Sequence, residues 1–316
     1  MKVILNAGPL PERYKNIVTA IGVFDGVHRG HQSVIARAVD AARNARGTSV
    51  VVTFFPHPVE ALYPKEFGGY VVTLEHRLRL IRSLGADVCY VIPFSRSFAR
   101  CSAVDFARDF LIKRLRTTKV VVGEDFHFGN QRQGSVGLFA GFGISVETVP
   151  LLKVNNINIK TSLLKNFIRD GNLLRLRSFL GRDHGIFAEV ERGKGIGRRL
   201  GFPTANLKQE NVIILPPGIY VVRVLAGTKE HPGVFYIGAR PTFNKQPGAV
   251  VLEAHILDFK GVLYGKKIGV EFLKKLRDDS SFPDEISLAR AIARDVKNAR
   301  VYFSRHPSGS VSPFSF

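Results

Sequence analysis

Apolar and polar positions follow two interleaved rhythms along the first half of the chain. Nearly unbroken apolar runs cover Asn16–Phe24, Thr48–Phe55, Asp87–Ile92, Lys119–Gly123 and Ile144–Pro150. Runs of that length, rich in Val and Ile, read as strands buried on both faces. Between them apolar residues recur every three to four positions over His31–Arg46, Leu74–Leu84 and Ala103–Leu115, which predicts helices. The first of these carries its stripe at Val34, Ile35, Ala38, Val39 and Ala42 and stops at Gly47. Thr73 and Ser102 stand as N-caps, and Gly85 as a C-terminal stop. Alternation of this kind predicts a doubly wound parallel sheet, with a ligand crevice beyond the carboxyl ends of its strands.

From about Gly185 the rhythm changes. Strand-like runs at Gly185–Val190, Gly218–Leu225, Gly233–Gly238, Val250–Phe259 and Lys267–Phe272 are separated by glycine and proline turns. This pattern predicts an antiparallel β-barrel. An amphipathic helix over Asp284–Phe303 follows Pro283, and helical segments at Thr161–Arg169 and Leu173–Leu180 join the halves. The expected domains are residues 1–182 and 183–305, followed by a Ser-, Pro- and Gly-rich tail at 306–316 read as disordered. No internal repeat is visible.

Composition narrows the class. The chain has 316 residues, 45% hydrophobic and 23% charged, as in soluble globular proteins. No run approaches the roughly 20 apolar residues of a membrane span, and the N-terminus turns polar too soon for a signal peptide. Cys89 and Cys101 belong to no metal-ligand cluster, which predicts reduced thiols and a cytoplasmic protein. The formal charge of +20 suits polyphosphate ligands or nucleic acid. However, the basic residues form no block and are not interleaved with aromatics, so nucleic acid is the remote reading.

The densest chemistry in the first half lies at Gly22-Val-Phe-Asp-Gly-Val-His28-Arg-Gly-His31. A strand, a glycine turn and a helix start form an anion site, with free backbone N–H groups and the positive end of a helix dipole. Two imidazoles there can donate to polyphosphate oxygens as charge builds up, which suits nucleotidyl transfer. Two further loops fall at strand ends. Phe54 and Phe55 precede Pro56-His57-Pro58, whose prolines fix the backbone and offer aromatic faces to a flat ring. Gly123–Gly134 supplies close backbone approach, the Asp125 carboxylate and the Arg132 cation. An isolated H-x-x-H is common by chance, and Phe126 alone reads as core; the order at three successive strand ends carries the inference.

In the second half, Arg192-Gly193-Lys-Gly195-Ile-Gly197-Arg198-Arg-Leu-Gly-Phe-Pro-Thr204-Ala-Asn206 sets glycines among cations. Such a loop wraps phosphates closely. Thr204 and Asn206 offer neutral oxygens to a hydrated Mg²⁺ already partly held by phosphate. The order is not that of a Walker A loop.

Gly22-Val-Phe-Asp-Gly-Val-His-Arg-Gly-His31, Thr53-Phe-Phe-Pro-His-Pro58 and Val122-Gly-Glu-Asp-Phe-His-Phe-Gly129 resemble the adenylyltransferase module of prokaryotic bifunctional riboflavin kinase/FAD synthetases. Leu200-Gly-Phe-Pro-Thr-Ala-Asn-Leu207, Pro217-Gly-Ile-Tyr220, Ile237-Gly-Ala-Arg-Pro-Thr-Phe243, Leu252-Glu-Ala-His-Ile-Leu-Asp-Phe259 and Leu263-Tyr-Gly265 resemble its riboflavin kinase module, as do Glu271-Phe272 and Arg277-Asp278. The likeness runs to about Phe303. It implies a nucleotidyltransferase domain followed by a kinase barrel, making FMN from riboflavin and ATP, then FAD from FMN and ATP, with Mg²⁺ accompanying ATP.

By that resemblance His28 and His31 stabilise the charge of adenylyl transfer. Gly22, Phe24, Gly123, Asp125, Arg132, Thr161, Ser162 and Lys165 bind its ATP, and Phe54, Pro56, His57, Pro58 and Phe126 bind flavin. In the kinase half Glu253 is the base, Thr204 and Asn206 hold the metal, and Gly193, Gly195, Gly197 and Arg198 bind nucleotide. One segment departs: where the family reads S-S-T-x-I-R, this chain has Lys160-Thr-Ser-Leu-Leu-Lys165, which loses the planar fork of arginine and adds a cation at Lys160. The F-R-F-G pattern becomes Phe126-His127-Phe128-Gly129. A kinase whose first domain only binds nucleotide or flavin is the alternative reading.

Overall fold

The apolar runs of the first half become neighbours in one parallel sheet. The computed structural model describes residues 1–5, 8–193, 195–239 and 250–306. It divides the chain into two units, Met1–Gly69 with Arg77–Thr161, and Tyr70–His76 with the described residues from Ser162 onward. The two joining helices, apart from Thr161, go with the second unit.

In the first unit the elements run β1 (Lys2–Leu5), β2 (Ile17–Ile21), α1 (Arg29–Asn44), β3 (Thr48–Phe55), α2 (Pro58–Leu62), α3 (Leu74–Ser83) and β4 (Val88–Pro93). After α4 (Ala103–Asp105) come β5 (Thr117–Gly123), α5 (Gly137–Ala140), β6 (Ser145–Val149) and a small hairpin, β7 (Lys153–Val154) with β8 (Ile157–Asn158). The sheet order is β1-β4-β3-β2-β5-β6, with every pairing parallel. Every residue of β2 is buried, as its unbroken apolar run requires. The order reverses between β2 and β5, which puts the crevice of such a sheet at their carboxyl ends.

Two elements depart from the expected pattern. β1 is a four-residue edge strand whose outer residues are exposed, so it lacks a long apolar run. The helix expected over Ala103–Leu115 is one α turn continued by a π-helical stretch at Phe106–Arg114. Its apolar positions Phe106, Phe110, Leu111 and Leu115 recur every four to five residues, and the Leu115 N–H reaches back to the Phe110 carbonyl. The stacked rings of Phe106 and Phe110, 5.2 Å apart, lie along that stripe.

In the second unit α6 (Thr161–Arg169) and α7 (Leu173–Leu180) lead into β9 (His184–Glu191), α8 (Ile196–Arg199), β10 (Ala205–Leu207), β11 (Gly218–Ala226), β12 (Lys229–Ala239), β13 (Val250–Ile256), β14 (Lys267–Arg277) and α9 (Glu285–Arg305). The strands close into a barrel in the order β10-β13-β12-β11-β14-β9, and β10 returns to pair with β9. The pairings are antiparallel. β10 has only three residues between proline and polar positions, too short to show as a strand in the sequence. Asp284 caps α9 by accepting from the Ser287 N–H at 2.6 Å. Ala299 of α9 is buried beside Ile219, Val221 and Val234 of the barrel. Residues 240–243 of one kinase-like motif and the tail beyond residue 306 lie outside the described residues. Among the described residues no helix is long and apolar enough to cross a membrane.

Candidate active sites

The first site opens where the sheet order reverses. Ile21 and Gly22 at the end of β2, with Gly123 and Asp125 after β5, line a cleft of about 260 Å³. His28, Gly30 and His31 form another wall, and Phe126, Lys160 and Thr161 complete its polar and aromatic rim. His28 is the N-cap of α1, and its Nδ1 accepts the His31 backbone N–H at 3.2 Å. In the neutral ring the proton then sits on Nε2, which makes that atom a donor. The two imidazoles stack at 3.5 Å between centroids with planes 18° apart. Phe24 meets the His31 ring edge-on at 5.3 Å. It does so from a left-handed backbone, φ 52°, rare for a bulky residue. Gly22 is needed beneath it, since a Cβ there would lie 2.8 Å from the Phe24 ring.

Several other residues expected in the first unit do not line this cleft. Phe54 packs edge-on against Phe94 at 5.9 Å. Pro56 follows Phe55 through a cis bond, and His57 caps α2 by accepting the Val59 N–H at 3.0 Å, with Pro58 opening the helix. Phe54, Pro56, His57 and Pro58 are absent from the cleft wall, whereas Phe126 is on it and stacks against Phe128 at 5.6 Å. Arg132 is exposed in a turn and does not line the cleft. Ser162 and Lys165 lie on α6 and belong to the second unit. Lys160 is the only lysine or arginine lining the cleft among the described residues.

The second site is a cavity of about 330 Å³ in the barrel unit. Thr204 Oγ1 donates to Glu253 Oε2 at 3.1 Å. Burial pushes the Glu253 carboxyl above the ordinary glutamate range, and the Thr204 hydroxyl opposes that shift. Asn206 is the cross-strand partner of Glu253, so both side chains share one face. The Asn206 amide packs on Gly193, where any Cβ would collide with it. Gly197 likewise sits against the Phe202 carbonyl and Thr204. Gly195 and Arg198 are exposed on the loop and the short α8.

The surrounding wall includes residues whose roles the motifs did not indicate. Tyr236 donates to Asp279 at 3.3 Å, and burial beside that carboxylate pushes its phenol up to about 12. Arg277 grips Asp295 of α9 through three contacts of 2.8 to 3.2 Å and lies over the Phe282 ring. Their signal was tertiary: β14 and α9 supply the partners from positions 18 apart in the chain.

The FAD synthetase family model matches residues 10–163, and the riboflavin kinase model matches residues 180–303. A bifunctional riboflavin kinase/FMN adenylyltransferase of Buchnera aphidicola (Acyrthosiphon pisum) is 32% identical over 97% of this chain and 99% of its own length. The chain belongs to the bifunctional riboflavin kinase/FMN adenylyltransferase family. Members from Escherichia coli K12 and Bacillus subtilis are 34% and 33% identical, over 90% and 93% of the chain and 92% and 95% of their own lengths. A solved structure from Streptococcus pneumoniae, described as a macrolide-efflux protein, aligns with a TM-score of 0.84 at 27% identity, covering 95% of this chain and 99% of that one. Within the family frame the histidine cleft falls in the FAD synthetase match and the Thr204–Glu253 pair in the riboflavin kinase match.

Proposed function

We propose that the barrel phosphorylates riboflavin with ATP, and that the cleft of the parallel-sheet unit adenylylates the resulting FMN with a second ATP. The observation that carries this reading is two separate sites of different chemistry. One holds a proton acceptor, Glu253, beside a hydroxyl; the other holds paired imidazoles at a helix N-terminus.

In the barrel Glu253 takes the proton of the terminal ribityl hydroxyl as that oxygen attacks the γ-phosphorus, and ADP departs. Its pKa, raised by burial, makes it a stronger base than an ordinary glutamate. In the cleft an FMN phosphate oxygen attacks the α-phosphorus of ATP and pyrophosphate departs. This nucleophile is already ionised, so the protein's task is positioning and charge stabilisation. His28 donates from Nε2 and Lys160 offsets phosphate charge, while Phe126 offers an aromatic face.

Among the described residues no group of three His, Cys, Asp or Glu side chains could hold a metal ion. Neutral oxygens at Thr204 and Asn206 fit a divalent cation that arrives with most of its charge met by ATP. Mg²⁺ bound with ATP neutralises the phosphates. The free thiols of Cys89 and Cys101 and the demand for ATP support a cytoplasmic location.

The test is incubation with riboflavin, ATP and Mg²⁺, separating FMN from FAD by chromatography, and a second incubation supplying FMN directly. Both products are expected. FMN without FAD at high enzyme leaves a kinase alone, and neither product overturns the proposal.

A further inference from the structure

Arg77 projects from α3 into the first unit and is fully buried, an expensive place for a guanidinium unless its donors are used. Its Nη1 lies 3.0 Å from the Val23 carbonyl and 3.1 Å from the Phe54 carbonyl. It also lies 3.4 Å from Thr53 Oγ1, and that hydroxyl donates to the Val23 carbonyl at 2.8 Å. Arg77 therefore ties together the carboxyl ends of β2 and β3, at the rim from which a doubly wound sheet acts on its ligand.

The tied peptide is the one that matters to the cleft. The Val23 carbonyl belongs to the peptide entering Phe24, whose φ of 52° the backbone does not adopt readily. Such conformations persist only when the surroundings fix them. Arg77 and Thr53 supply two donors to that single carbonyl. Phe24 in turn sets its ring edge-on to His31 at 5.3 Å, and His31 stacks on His28.

We infer that Arg77 is a positioning residue for adenylyl transfer: through the Val23 carbonyl and Phe24 it holds the His28–His31 pair in its reactive geometry. The inference rests on the proposed role of that pair. Arg77 acts through the backbone and not on the substrate. Its loss displaces the imidazoles without removing them, so the catalytic rate falls while nucleotide binding elsewhere in the cleft persists. A displacement of about 1 Å in a reacting constellation costs on the order of 10²-fold in rate.

The experiment compares wild type with Arg77→Met, Arg77→Lys and Thr53→Val in the full chain, supplying FMN and ATP. Arg77→Met is expected to lower kcat for FAD formation by roughly 10²-fold, with KM for ATP within about threefold and riboflavin phosphorylation unchanged. Arg77→Lys, which keeps the charge but loses the fork, should fall by about 10-fold. Thr53→Val should lower kcat in the same direction and decides the matter if Arg77→Met does not fold. FAD formation within about threefold of wild type in folded Arg77→Met, or in Thr53→Val when that variant must decide, overturns the inference. A change in KM alone overturns it too. Imidazole NMR signals of His28 and His31 separate this outcome from failure of the proposed function. If wild type makes no FAD, that function falls, while ring signals unmoved in Arg77→Met or Thr53→Val sink the positioning role independently.

Discussion

Thr204 donates its hydroxyl proton to Glu253 at 3.1 Å, across neighbouring strands of the barrel, and partly offsets what burial does to that carboxyl. The pair ties a half-buried carboxyl to a hydroxyl two residues before Asn206, so the state of one is felt by the other.

Glu253→Gln should lower FMN formation by roughly 10²-fold or more while leaving the fold intact, as measured by turnover and thermal unfolding. Because the folded-state pKa is raised, the acidic limb of the wild-type kinase rate should lie above the ordinary glutamate value of 4.5. Stability has the opposite dependence. The native state holds this proton more tightly than the unfolded chain, so the stabilisation is fully present below the unfolded pKa and is lost as pH rises through the folded one. Glu253→Gln should accordingly match or exceed wild type in Tm at neutral pH, with the gap closing in acid.

Gly193→Ala should act as a remote lesion of Asn206, because the added methyl would collide with the Asn206 amide. The expected result is a KM for ATP in riboflavin phosphorylation raised by about 10-fold, matching Asn206→Ala, with FAD formation from supplied FMN unchanged. Loss of both activities in a folded variant would break the assignment of two sites.

Lys160→Ala tests which cation serves the cleft. It should raise KM for ATP in FAD formation by about 10-fold at low salt and less at high salt, since this side chain is exposed and screened. Equal kinetics for Lys160→Ala and wild type across salt would remove Lys160 from phosphate binding.

His28 has a cap to provide as well as a proton. His28→Ala loses the acceptor for the His31 N–H, which costs about 0.5–2 kcal/mol of stability in typical N-caps. His28→Asn supplies a good cap and should recover most of that Tm, whereas FAD formation should be abolished in both variants. Recovery of activity by Asn would show that the cap, and not the imidazole donor, is what adenylylation needs.

The sheet was legible because β2, β3 and β5 are buried on both faces, which forces long apolar runs, and the barrel because turn residues punctuate it. β1 and β10 were not, being too short for periodicity to register. The π-helical stretch was hidden because a stripe of four- to five-residue steps looks helical from either period. At the sites, motif order located His28, His31, Thr204 and Glu253, which the structure brings together in two pairs. It could not separate Phe126, which lines the cleft, from Phe54, which packs on Phe94, because spacing does not say where a side chain points. Arg77 was invisible for a related reason: its acceptors are backbone carbonyls, which leave no mark in a sequence.

β10 meets β13 and β9 through two register positions each, and Asn206 takes part in both pairings. The narrowest seam of the barrel thus runs through a residue proposed to hold the metal–nucleotide. By mass action, a ligand that binds only the closed seam at a hundred times its Kd adds about 2.7 kcal/mol to closure. Energy supply in the cell then becomes a determinant of how often this strand detaches: as ATP falls, so does the free energy holding the seam shut. Hydrogen exchange at Ala205–Leu207 should slow as nucleotide is titrated in, while exchange in the long β11–β12 ladder stays constant.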